Sequence, residues 1–250
     1  MIQDLHSHTY YSFDSKDTAE TVIEAAIAGG VDTFGICDHN YGIAMQRSTT
    51  AFYDEERRVK DYQRSLNTYL DHLRLIADKY QDHIRVFCGI EIATLNSVNK
   101  TLPDMVDISS FDYCLIEHID AQDTIVTDIF AYAKRCGTKV VGIAHTDLFN
   151  YLEHSGQDPL AFFTRMAENN IFWEMNVNYD SIHHHRIHSY LLDFFSNEHQ
   201  QQIIRKSGVK LSIGFDGHRV DDYRPDIIRD YSNRIQELEL PLIFSDSQGI

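Results

Sequence analysis

Short runs rich in β-branched and aromatic residues alternate with amphipathic stretches along all 250 residues of this chain. That alternation restricts the fold more than any other feature. The strand-type runs are residues 2–5, 33–37, 84–92, 113–116, 139–144, 171–177 and 210–215. Between them, residues 18–27 place Val22, Ile23, Ala26 and Ile27 at helical spacing, with Asp17 or Thr18 as N-cap and Gly29-Gly30 as a stop. Residues 54–80 repeat that spacing through Tyr62, Leu66, Tyr69, Leu70, Leu73 and Ile76, with an earlier break left open. Further helical patterns cover residues 123–136, 159–169, 189–206 and 225–238. A β-α unit repeated about seven times implies parallel strands joined by crossover helices, hence an α/β fold. A closed or nearly closed barrel is favoured, and a doubly wound open sheet is the alternative. No Pro/Gly/Ser-rich linker interrupts the chain, so residues 1–250 are expected to form one domain.

Most of these runs end in a side chain that can bind metal. The series is His6, His8 and Asp14, then His39, Glu91, His118, His145, Asp216 and His218. Taken singly, each has an ordinary reading: His39, His118 and His145 as core or turn histidines, and Asp14 and Asp216 as turn residues. Their joint placement changes that, because parallel strands in a barrel bring their C-terminal ends to one rim. His6 and His8, two apart, face one side if the backbone is extended, and Asp216 and His218 repeat the spacing. Glu91 has two oxygens and can bridge two cations. Imidazole with carboxylate suits Zn²⁺, Mn²⁺ or Fe²⁺, and is nitrogen-rich for Mg²⁺ or Ca²⁺. Asp4, Asp38, Glu117 and Asp147 lie near these residues and could orient the imidazoles.

Bulk properties narrow the partners. With 43% hydrophobic residues the chain can bury a sizeable core, while a net charge of −16 repels phosphate backbones and anionic membranes. No nucleic-acid polymer and no membrane are therefore expected as partners; a small-molecule phosphate ester is, and the oligomeric state stays open. Cys37, Cys88, Cys114 and Cys136 form no C-x-x-C pair and are expected to be reduced and structural. No secretory leader or span-length apolar run is present, which points to a cytoplasmic protein. His183-His184-His185 with Arg186 fall in a loop after the sixth strand. Beside the plain surface-loop reading, His184, His185 and Arg186 are candidate substrate contacts, since a guanidinium can hold two phosphate oxygens.

The motifs together resemble the polymerase and histidinol phosphatase (PHP) family of metallo-phosphoesterases. The resemblance rests on His6-x-His8 with Asp14, Asp38-His39, Gly89-Ile90-Glu91, His118, His145 and Asp216-Gly217-His218. It implies a distorted (β/α)7 TIM-like barrel with a trinuclear centre. One metal would sit at His6, His8, Glu91 and Asp216, a second at Glu91, His118 and His145, and a third at Asp14, His39 and His218. Within the family the chain is most similar to the histidinol-phosphatase branch, from the long helix before the third strand, Ala144-His145-Thr146-Asp147-Leu148 and Glu174-Met175-Asn176. Ile116-Glu117-His118 departs from that branch, which usually carries Ser-Val-His there.

The implied activity is hydrolysis of a small phosphate monoester, L-histidinol phosphate first, by two or three divalent ions that lower the pKa of a bridging water. Glu91 and Asp216 would hold that nucleophile. Two rivals stand beside it: a phosphodiesterase or nucleotide phosphatase of the same family, and a non-catalytic metal-binding module.

Overall fold

A computed structural model describes residues 1–45, 55–96, 106–178 and 186–245. Seven strands pair in sequence order: β1 (Gln3–Asp4), β2 (Thr33–Ile36), β3 (Arg85–Ala93), β4 (Tyr113–Glu117), β5 (Val141–Ile143), β6 (Ile171–Asn176) and β7 (Leu211–Gly214). All six strand pairs are parallel. The sheet curls until β7 meets β1, where Leu5 N donates to Ile213 O at 2.8 Å and His8 N donates to Gly217 O at 2.8 Å. Asp4 adds a side-chain stitch, its Oδ1 accepting from Phe215 N at 3.0 Å. The result is the expected barrel, and the open-sheet alternative falls because both edges of the sheet are joined.

Helices fill the crossovers: α1 (Ala19–Ala28), α2 (Asn40–Met45), α3 (Glu55–Tyr80), α4 (Ile129–Cys136), α5 (Leu148–Ser155), α6 (Pro159–Glu168), α7 (Ser189–Ser196), α8 (Glu198–Ser207) and α9 (Pro225–Glu237). Thr18 caps α1 by accepting from Thr21 N, as its sequence suggests. The stretch 189–206 proves to be two helices. Asn197 leaves helical geometry and its side chain accepts from His199 N and Gln200 N, so a local cap outcompetes helix continuation. The stretch 123–136 becomes helical only after Asp128, whose carboxylate caps Phe130 N and Ala131 N. Helices α2 and α5 were not legible as separate periodic segments, being six and eight residues long. No helix among the described residues is long and apolar enough to cross a membrane.

Strand alternation divides the apolar side chains into two layers. Ile36, Ile90, Ile116, Ile143, Trp173 and Ile213 point outward into the sheath of helices. Leu5, Cys37, Tyr113, Leu115, Phe172 and Phe244 fill the barrel itself. Two large rings occupy that narrow interior because glycines face them: a Cβ at Gly35 or Gly89 would overlap Tyr113, and one at Gly142 would overlap Phe172. Moving up the inward positions, the apolar floor gives way to carboxylates. On β3 the sequence runs Phe87, Gly89, Glu91; on β4 Tyr113, Leu115, Glu117; on β6 Phe172, Glu174. All four cysteines are free and buried, as expected of small hydrophobes.

Candidate metal centre

The chain leaves regular strand geometry just where the candidate ligand residues begin. His118, His145 and Asp216, which follow β4, β5 and β7, have φ of +62°, +24° and +56°. Such backbone costs on the order of 1–3 kcal/mol per residue for side chains larger than glycine, and it persists where surrounding structure imposes it. Its effect is to turn side chains over the barrel mouth. His6 and His8 also converge, with Nε2 atoms 3.1 Å apart. They do so past the two-residue β1 rather than along an extended strand.

Glu91 is the hub. Its Oε1 lies 3.2 Å from His6 Nε2 and 3.3 Å from His145 Nε2. Its Oε2 lies 2.8 Å from His39 Nδ1 and 3.4 Å from His8 Nε2. Asp216 Oδ1 stands 3.1 Å from His8 Nε2 and 3.4 Å from His6 Nε2. Asp14 Oδ2 lies between His218 Nε2 at 3.4 Å and His39 Nε2 at 3.6 Å. Of the predicted ligands, His118 stands at the edge: its ring is 42% exposed, 6.1 Å from that of His145, and its Nε2 meets Glu117 Oε2 at 2.9 Å.

Outer partners fix which ring nitrogen faces inward. His6 Nδ1 lies 2.7 Å from Glu174 Oε1, and a carboxylate there requires Nδ1 to carry the proton. His8 Nδ1 lies 2.9 Å from Ser12 Oγ, and that hydroxyl donates to Asp38 Oδ1 at 2.7 Å, so it accepts from the ring. His218 Nδ1 faces the Asp216 carbonyl at 3.0 Å. In all three rings Nε2 is left with its lone pair toward the shared space, the tautomer a metal ligand needs. Asp38 thus orients His8 through Ser12, and Asp4 acts on backbone instead, accepting from His6 N and Phe215 N. Asp147 does neither; it caps α5 by accepting from Asn150 N at 3.0 Å.

Several groups escaped the sequence reading. Glu174 sits inside an apolar run where its only near neighbour in sequence to bond it is Asn176, and only the barrel brings it to His6 Nδ1 and to His145 N, 2.7 Å away. His188 stacks on His145 with centroids 6.4 Å apart and planes 4° from parallel. Tyr41 and Phe13 pack on His39 at 5.1 and 5.7 Å. Arg186 is exposed, two residues before His188, while His184 and His185 lie outside the described residues.

The donors fit divalent cations. His39 Nδ1, Glu91 Oε2 and Glu117 Oε1 are buried without a hydrogen-bond partner, although the first two approach to 2.8 Å off-axis. Unpaired buried donors of this kind are unfavourable unless a cation occupies the space between them. Ligand atoms also cluster within 4.8 Å as His6 with His8 and Asp216, as His8 with His39 and His218, and as His39 with Glu91 and Glu117.

Residues 4–243 match the PHP domain. The chain belongs to the PHP family. Among solved structures, this PHP chain is similar to the histidinol phosphate phosphatase HisK from Lactococcus lactis subsp. lactis Il1403, complexed with zinc, L-histidinol and phosphate. That likeness has a TM-score of 0.57 at 14% identity and covers 96% of this chain and 95% of the other. A putative histidinol phosphatase HisK from Listeria monocytogenes gives 0.50 at 14% identity, over 92% and 98%. No curated protein matches the sequence.

Electrostatics of the metal-free PHP centre follow from the same contacts. Burial pushes His8 down to about 3, with His218 and His39 adding to it, so this ring is neutral. Burial opposes charge on His145 too, but Glu91, helped by Asp216 and Glu174, raises it from 6.5 to about 9. Without metal, the proton on His145 therefore stabilises the fold fully below pH 6.5, a contribution lost as pH rises through about 9. Metal needs the neutral ring, so affinity runs the opposite way and increases across that window. Calorimetry in buffers of different ionisation enthalpy should show at least one proton released per chain on metal uptake at pH 7. The metal-induced rise in Tm should grow between pH 6.5 and 9. Proton-neutral binding at pH 7 would contradict this account.

Proposed function

We propose that this protein is a metal-dependent phosphatase of small phosphate monoesters, with L-histidinol phosphate as its substrate. The observation that carries the reading is the set of imidazole nitrogens and carboxylate oxygens turned into one space at the barrel mouth, with His39 Nδ1, Glu91 Oε2 and Glu117 Oε1 buried and unpartnered. When bound, two to three divalent ions (Zn²⁺, Mn²⁺ or Fe²⁺) supply Lewis acidity to phosphate oxygens and acidify water. Glu91 and Asp216 set the spacing of the donors in that space and hold the attacking water by their charge. Glu174 and Ser12 keep His6 and His8 in one tautomer and orientation, so the site reorganises little during reaction. Arg186, with His184 and His185, is assigned to the incoming phosphate, where a planar guanidinium can hold two equatorial oxygens.

Charge supports the choice of substrate class. A net −16 disfavours a polyanionic substrate and favours a leaving group that carries an amine and an imidazole. The L. lactis protein, complexed with L-histidinol and phosphate, makes histidinol phosphate the first ester to try.

The test strips metal with a chelator, reconstitutes with Mn²⁺, Zn²⁺ or Fe²⁺, and compares histidinol phosphate, an aryl phosphate, nucleoside monophosphates and single-stranded DNA. Stripping is expected to cut monoester turnover by about 100-fold or more, with recovery on reconstitution and the highest kcat/KM on histidinol phosphate. Arg186→Ala should raise KM for the ester. Turnover that survives thorough stripping would sink the mechanism, and preference for DNA would sink the substrate class.

A further inference from the structure

We propose that Glu117 is itself a metal ligand, a second carboxylate beside Glu91 that makes the position between β3 and β4 oxygen-rich. The inference rests on the metal-centre reading above and adds a donor outside the set implied by the family motifs.

Strand alternation aims Glu117 inward. Tyr113 and Leu115, at the preceding alternate positions of β4, both lie in the barrel interior. The Glu117 side chain is 5% exposed where that of its neighbour His118 is 42% exposed, so the carboxylate, not the imidazole, is the buried donor at this strand end. Its Oε1 has no hydrogen-bond partner, and it stands 3.6 Å from His39 Nδ1, which has none either. Its Oε2 is 2.9 Å from His118 Nε2 and 3.9 Å from His145 Nε2. The ligand atoms of Glu117, Glu91 and His39 lie within 4.8 Å of one another, a spacing that one divalent cation can span.

A residue that merely orients an imidazole looks different in this protein. Glu174 shows the pattern: Oε1 takes His6 Nδ1 and Oε2 takes His145 N and Asn176 Nδ2, so neither oxygen is left bare. Glu117 leaves one oxygen bare and buried, pointing at other bare donors. Two carboxylates at one position favour a harder cation, Mn²⁺ or Fe²⁺, over Zn²⁺.

Glu117→Gln keeps the shape and removes the ligand charge; Glu117→Asp keeps the charge at shorter reach. Metal content and titration calorimetry with Mn²⁺ and Zn²⁺ read the result without any substrate. In Glu117→Gln one metal equivalent should weaken by about 100-fold or more, beyond the 10–100-fold typical of an outer partner, with a larger loss for Mn²⁺ than Zn²⁺. Glu117→Asp should recover part of it. Circular dichroism of both metal-free variants checks that they fold. Full stoichiometry and unchanged Kd in folded Glu117→Gln would overturn the assignment, as would a loss of activity with metal binding intact. A wild-type protein inactive on every ester, whose Glu117→Gln variant still loses one metal, would refute the phosphatase reading and leave Glu117 a ligand.

Discussion

Glu91→Gln is expected to lower kcat/KM for the phosphate ester by about 1,000-fold or more while the barrel stays folded. A single carboxylate, 1% exposed, contacts His6 and His145 through one oxygen and His39 and His8 through the other. An amide of the same size keeps one weaker acceptor and turns an N–H₂ toward ring nitrogens that need an anion. Burial opposes ionisation of Glu91, yet His6 and His39 hold its pKa well below the ordinary carboxylate value, so it is anionic throughout the working range. Steady-state kinetics and metal analysis of the same sample check the outcome. Activity within about tenfold of wild type at full metal content would remove Glu91 from the centre.

Gly214→Ala should also disable the site, although glycine has no side chain to offer it. A Cβ at this β7 position would overlap Glu174 Oε1 and approach His6 Cβ to 2.7 Å. Both neighbours are fully buried, so neither has room to move. Overpacking is expected to cost about 1–3 kcal/mol of stability. Displacing the carboxylate that fixes His6 should weaken metal binding about 10–100-fold. Thermal unfolding and metal titration separate the two effects. Wild-type metal affinity in a destabilised Gly214→Ala would show that Glu174 need not sit where it does.

Most of the fold was legible because apolar periodicity depends on local geometry alone. Period-two runs and helical faces are written into consecutive residues, and each strand-type run from 33–37 to 210–215 contains a strand within a few residues of its expected bounds. Boundaries set by a single competing hydrogen bond were harder to read. The Asn197 side chain splits one expected helix in two, and Asp128 delays the start of another. Asp147 shows the same limit at the site: two residues after His145 it suggests an orienting acid, yet its carboxylate caps the N-terminus of α5 instead.

The sequence by itself determined which chemistry the barrel mouth can perform. Histidines and carboxylates that each have an ordinary reading alone recur after successive apolar strands, and parallel strand order carries those strand ends to one rim. Tertiary structure decided how those groups are held. Which nitrogen of His6 is bare depends on Glu174, 168 residues away, and the junction of β7 with β1 is reinforced by Asp4 reaching Phe215 across 211 residues. It also set two neighbours apart, burying the Glu117 carboxylate among the donors and leaving the His118 ring at the edge. The physical reason is the range of the forces involved. Hydrophobic periodicity acts between near neighbours along the chain, whereas a hydrogen bond or an unpaired charge is resolved only by whatever the finished barrel places within about 3 Å.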